Sequence, residues 1–256
     1  MRTQEHWFDL MLTTTTDLLF DKETQLLSSY YERNLVKKAS VLDVGCGNGA
    51  YLLRMSQQFP LWSCTGIEMN EQIYRFAQTK VSKAITIVPT AYQDYHSPKP
   101  YDYVLVRLIA AHLPDLAHFM RWLRERIHPG SIIIIIDVEE EMQTELTESK
   151  LLPLFSNLYQ QMRKPLRTSK LMSFKDLLSL EAVYAGLHPI ERLNYGVTTD
   201  SPSTREQIYN YMRHVTGAHY GSAIPPERDR ELAIWYESRD ESFAIRMFGL
   251  VLQLKT

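Results

Sequence analysis

From Ser40 onward, short apolar runs alternate with amphipathic stretches. Val41-Leu42-Asp43-Val44 reads as a buried strand, followed by a glycine turn and a helical run from Ala50 to Gln58. Trp62 to Glu68 reads as a second strand, with a helix from Glu71 to Lys80 behind it. Ala84 to Val88 gives a third strand and Tyr101 to Val106 a fourth, the latter leading into a helix from Asp115 to Ile127. Ser131 to Val138 gives a fifth, and its greasy centre, Ile132 to Ile136, is far shorter than the roughly 20 residues that span a bilayer. Strands that alternate with helices imply βαβ units and a parallel sheet covered on both faces. Right-handed crossovers make such a sheet doubly wound.

The flanks follow other rhythms. Residues 1–38 predict two amphipathic helical pieces, broken at Thr13-Thr14-Thr15-Thr16-Asp17, with Asp21 or Thr24 capping the second. Residues 142–172 are helical in pattern but interrupted by Pro153 and Pro165. Ser173 to Ala185 predicts a helix that stops at Gly186. Ile190 to Val197 predicts a sixth strand, 202–237 a polar, Tyr-rich helical stretch broken at Pro225-Pro226, and Phe243 to Leu254 a last strand. The expected architecture is an α/β fold with a seven-stranded sheet and helical cap insertions. Its organisation is an N-terminal helical segment over 1–38 and a main domain over 39–256, with insertions at about 142–172 and 202–237.

Composition narrows the function classes. Of 256 residues, 45% are apolar and 23% charged, as in ordinary globular proteins. A net charge of −2 argues against a nucleic-acid partner held by bulk charge. Cys46 and Cys64 are too few for a disulfide scaffold or a four-ligand zinc site. With an N-terminus that lacks a signal-peptide pattern, they point to the cytoplasm and to no membrane span.

Glycine is scarce at 10 residues, yet Gly45, Gly47 and Gly49 fall together between the first strand and its helix. Bare backbone there approaches a ligand closely, and the peptide N–H groups at the helix start face it. Gly45, Gly47 and Ala50 formally satisfy a dinucleotide fingerprint. Asp43 opposes that reading, since a carboxylate beside the turn repels a pyrophosphate and attracts a cation. Glu68 closes the second strand and suits a pair of ribose hydroxyls in either cofactor class.

Val41 to Gly49, VLDVGCGNG, resembles the first motif of the class I S-adenosylmethionine-dependent methyltransferases. The resemblance covers roughly residues 38–140 plus a final strand and implies a Rossmann-like sheet, mostly parallel with an antiparallel last strand. It implies S-adenosyl-L-methionine as cofactor, S-adenosyl-L-homocysteine as product, and cofactor contacts at Asp43, Gly45, Cys46, Gly47 and Gly49. By the same resemblance Glu68 holds the ribose, and Met69, Ala91 and Tyr92 flank the adenine. Thr90 stands where the family often has an acid, and Asp94 follows four residues later. Arg107 and Leu108 line the methionine and the reactive methyl.

A small-molecule methyl acceptor is the expected partner, aligned with the sulfonium rather than transformed by the protein itself. His112, just past the fourth strand, is the candidate base; Glu139, Glu140 and Glu141 follow the fifth, and His188, His214 and His219 lie in or near the additions. Tyr209, Tyr211, Tyr220, Trp235 and Tyr236 suit an organic pocket, packing within the cap or a homodimer interface. Arg163, Lys164, Arg167 and Lys170 form a small basic cluster for an acidic substrate, RNA or solvent. The competing readings are an NAD(P)-dependent oxidoreductase, an RNA or protein methyltransferase, and a cofactor-binding regulator without turnover. Arg107-Leu108-Ile109-Ala110 stands where base N-methylating enzymes carry Asn-Pro-Pro-Tyr.

Overall fold

A computed structural model of the chain describes residues 2–32, 37–82, 84–97, 99–139, 146, 148–163, 172–221 and 223–255. The elements are α1 (Gln4–Leu26), α2 (Ser28–Tyr31), β1 (Ser40–Val44), α3 (Ala50–Gln58), β2 (Ser63–Glu68), α4 (Glu71–Lys80), β3 (Ile85–Pro89), β4 (Tyr101–Arg107), α5 (Leu116–Arg124) and β5 (Ile127–Val138), followed by α6 (Pro153–Arg163), α7 (Phe174–Tyr184), β6 (Leu187–Thr198), α8 (Pro202–Tyr220), α9 (Pro226–Ser238) and β7 (Ala244–Leu254). The strands form one sheet in the order β3-β2-β1-β4-β5-β7-β6. Pairing is parallel from β3 through β5, with Asp43 of β1 opposite Gly66 of β2 and Leu105 of β4. At the far edge Lys255 N–H donates to Gly186 and Thr199 N–H to Phe243, so β6 and β7 run antiparallel. The parallel part is the one the alternation predicts, and the antiparallel last strand is the one the resemblance implies.

Continuous burial explains the strands. Val41, Leu42, Val104, Ile133 and Ile135 are wholly buried, as a sheet covered on both faces requires. β5 begins at Ile127, so Pro129-Gly130 lies within the strand run and not before it.

The N-terminal expectation needs correction. Residues Thr13 to Asp17 do not break the helix; α1 runs on to Leu26, and Asp21 and Thr24 are interior residues. The Thr13 and Thr15 hydroxyls donate to the Asp9 and Met11 carbonyls one turn back, at 3.0 and 2.7 Å, which satisfies the groups that would otherwise compete with the helix.

The chain divides into two compact units. One holds Lys22–Asp137, Thr168–Asn194 and Phe248–Thr256, and contains the glycine turn. Beneath its β1, Phe59, Trp62 and Tyr103 stack at 4.2 and 4.7 Å between ring centroids, with Tyr31 edge-on. The other holds Met1–Asp21, Val138–Arg167 and Tyr195–Met247. There Gly217 of α8 lies against the Trp7 indole, and Glu231 of α9 accepts the Leu154 and Phe155 N–H groups that open α6, both at 2.7 Å.

Candidate cofactor site

The turn after β1 is tied to β2 through peptide groups. The N–H groups of Gly45 and Cys46 both donate to the Ile67 carbonyl, at 2.9 and 3.0 Å, and Gly49 N–H closes back on Cys46. Gly47 and Gly49 adopt φ of +55° and +73°, the left-handed region that side chains disfavour. A Cβ at Gly49 would also sit 2.7 Å from the Val81 side chain, just past α4. Glycine thus lets α3 start directly beneath the turn.

Glu68, at the end of β2, is half-buried and held by the backbone: Oε2 accepts Gly47 N–H at 3.1 Å and Oε1 accepts Asn70 N–H at 2.7 Å. Burial raises its pKa, while those N–H groups oppose the shift. Asp43 is 3% exposed. Burial pushes its carboxyl up to about 7, against the pull of the Arg107 guanidinium and with help from the Glu68 charge.

Arg107 ends β4. Its Nε donates to Glu23 Oε2 at 3.0 Å and its Nη2 to Oε1 at 3.4 Å, and its Cζ lies 4.8 Å from the Tyr51 ring centroid on α3. Leu108 then takes φ of +61°, a costly conformation for leucine, while its N–H donates to the Ile136 carbonyl at 2.8 Å. A short turn, Ala110–His112, follows; the buried Asp137 carboxylate accepts Ala111 N–H at 3.2 Å. Asp43, Glu68, Arg107 and the glycine turn thus meet at the carboxyl ends of β1, β2 and β4, where open α/β sheets bind ligands.

A methyltransferase-domain family model matches residues 17–183, well over half of the chain. This chain belongs to the class I S-adenosylmethionine-dependent methyltransferases. It is 24% identical over 111 residues to a protein of Papaver bracteatum named as an (S)-tetrahydroprotoberberine N-methyltransferase 2, covering 41% of this chain and 31% of that one. It is 25% identical over 114 residues to the ubiquinone biosynthesis O-methyltransferase of Rickettsia typhi, covering 44% of this chain and 46% of the relative. The chain thus spans between about a third and a half of the length of these curated relatives. In fold it is similar to the plantazolicin methyltransferase BpumL, solved with a triazolic desmethyl analogue and SAH: TM-score 0.52, 17% identity, 98% of this chain and 99% of that one covered.

The donor set of this chain fits S-adenosyl-L-methionine, the cofactor of its family. The Gly47 N–H from the turn and the Asn70 N–H from the start of α4 fix the Glu68 carboxylate in orientation, which suits acceptance of a pair of hydroxyls. A buried carboxylate such as Asp43 suits a ligand whose methionine end carries an ammonium and a sulfonium. Cys46 is buried behind the turn, and Met69 is 76% exposed beside Glu68.

At the end of β3, Ala91 caps a short turn over Tyr92–Asp94. The Tyr92 ring packs edge-on against Phe119 and Trp122 of α5, at 4.9 and 5.3 Å, and its hydroxyl pairs with His118. That ring packs on α5, and Asp94 is exposed. His112 is exposed on its turn. His214 bonds to the Thr14 hydroxyl at 3.0 Å, and burial lowers its pKa to about 4. Glu139 is 8% exposed, not part of a solvated face. Glu140, Glu141, Lys164, Arg167 and Lys170 lie outside the described residues, as does the Arg163 side chain.

The aromatic residues of the second unit pack on one another and on cations. Tyr209 stacks on Tyr236 at 4.7 Å, Trp235 is wholly buried, and Tyr220 lies under Arg228. Glu23 is the site residue that sequence reading missed. It pairs with a residue 84 positions away, and nothing local in its helix marks it.

Proposed function

We propose that this methyltransferase transfers the sulfonium methyl group of S-adenosyl-L-methionine to an oxygen or nitrogen of a small organic acceptor. The observation that carries this is the meeting of the glycine turn, buried Asp43 and Glu68 at one edge of the sheet. When bound, the cofactor supplies an activated methyl group and a neutral thioether leaving group. In this reading Glu68 holds the ribose, the backbone at Gly45, Gly47 and Ala91 approaches the nucleoside, and Arg107 and Leu108 border the methionine. His112 takes the acceptor proton when the acceptor is an alcohol or a protonated amine. The O- and N-methylating relatives support both acceptor atoms. Two buried thiols, Cys46 and Cys64, support a reducing compartment such as the cytoplasm. No helix among the described residues is long and apolar enough to cross a membrane.

Calorimetric titration with S-adenosyl-L-homocysteine beside NADH tests the cofactor. Micromolar binding of the former alone supports the reading; binding of NADH alone overturns it. Isotope-labelled donor with a panel of phenols, carboxylates and amines then tests the acceptor. In this assay His112→Gln lowers turnover by about 10²- to 10⁴-fold with donor affinity unchanged, the size expected for a general base. An unchanged rate removes His112 from the mechanism.

A further inference from the structure

The methionine end of the site carries an uneven set of buried charges. Glu23 and Arg107 are 0% and 10% exposed at the side chain, and their ion pair is doubly bonded. Asp43 is 3% exposed and interacts with that same guanidinium. Two carboxylates therefore share one cation in a poorly solvated setting, where charge interactions are weakly screened. The methyl donor is cationic at sulfur, and the product of transfer is a neutral thioether. They differ in little else, so a fixed charge near the sulfur discriminates between them.

We propose that the Glu23–Arg107 pair makes this end of the site a charge selector: with Arg107 neutralised by Glu23, the Asp43 carboxylate favours the sulfonium donor over its thioether product and so sheds the product after transfer. Glu23 is here a positioning residue that acts through Arg107. The proposal rests on the cofactor lying over the glycine turn.

Charge selection of this kind is coupled to protons. The groups that face Asp43 are Arg107 from β4, Glu68 and Cys64 from β2, Cys46 from the turn and Tyr31 from α2, with Glu23 of α1 behind Arg107 and beside Tyr31. Burial holds the Cys46, Cys64 and Tyr31 protons well above neutrality. Asp43, pushed up to about 7 by burial, is partly protonated near neutral pH, and a cation bound beside it draws that proton off. The neutral product does so less. The α-ammonium and α-carboxylate, common to both ligands, cancel in the difference.

The test is calorimetric binding of donor and product to the unsubstituted protein, without acceptor, in buffers of different ionisation heat between pH 6 and 8. The donor should release more protons than the product, and the donor-to-product affinity ratio should rise about three- to tenfold over that range, the size of one partly screened charge pair. Glu23→Gln exposes the Arg107 charge and should lower the ratio by a similar factor; Glu23→Asp, which keeps the charge, should restore most of it. Equal proton release with a pH-independent ratio overturns the proposal without any variant. So does a folded Glu23→Gln protein with an unchanged ratio. Failure of both ligands to bind overturns the cofactor placement, and this inference with it.

Discussion

Two largely enclosed arginines, Arg205 in one unit and Arg107 in the other, are treated in opposite ways. Arg205, 6% exposed, donates to the carbonyls of Tyr236 and Glu241 at 3.0 Å each and to that of Trp235, with its guanidinium over the Trp235 ring. Its hydrogen-bond acceptors are neutral carbonyls, which do not titrate. Arg107 is held by carboxylates, one paired to it and another, Asp43, pushed far from its ordinary range by burial. A second contrast runs beside this one. Glu231 and Glu68 are both half-buried and both accept two peptide N–H groups. Glu231 fastens a helix end; Glu68 fastens a glycine turn at the edge where ligands enter. Of the two arginines, the one met by neutral carbonyls supports the fold, and the one met by carboxylates of unsettled ionisation stands at the candidate site; for the two glutamates, place in the fold and not backbone pairing makes the difference.

The largest effect expected from breaking this contrast is at Arg205. Arg205→Met leaves several carbonyls without their donor and should lower unfolding free energy by about 3–5 kcal/mol in a denaturant melt. Asp43→Asn should do the reverse. Folding raises the pKa of Asp43 from its ordinary value to about 7, so the folded protein takes up a proton between about pH 4 and 7 and loses stability as pH climbs through that window. The substitution should flatten that slope and add about 2–4 kcal/mol at pH 8, while weakening donor binding. A smaller effect separates the two glutamates. Glu68→Ala should cost about 1.5–3 kcal/mol of cofactor affinity by calorimetry. The smallest change is Glu231→Ala, about 0.5–2 kcal/mol of stability from a lost helix cap, measured in the same melt, with cofactor affinity unmoved. A binding defect in Glu231→Ala equal to that of Glu68→Ala would erase the distinction.

The parallel half of the fold was legible because its signals are local. Alternating periods mark β1 to β5, and α3 and α4 begin and end where their patterns do. The glycine turn was legible for the same reason. Thr13 to Asp17 misled because a β-branched, hydroxyl-bearing run looks like a break, whereas Thr13 and Thr15 return their hydroxyls to carbonyls of their own helix. The packing of Tyr92 was not legible because sequence gives a side chain's position but not its direction; Phe119 and Trp122 offer it an aromatic surface 27 and 30 residues downstream. Glu23 was invisible since nothing in a helix pattern announces an ion pair with a strand 84 residues away.

Cys46 gives the glycine turn a clock. Its sulfur fills the space above Gly66, where a Cβ would lie 2.6 Å away, and burial keeps the thiol protonated. An alkylating reagent reaches it only while the turn stands open, so the labelling rate counts the openings. Whatever closes over that turn will lengthen the interval between them.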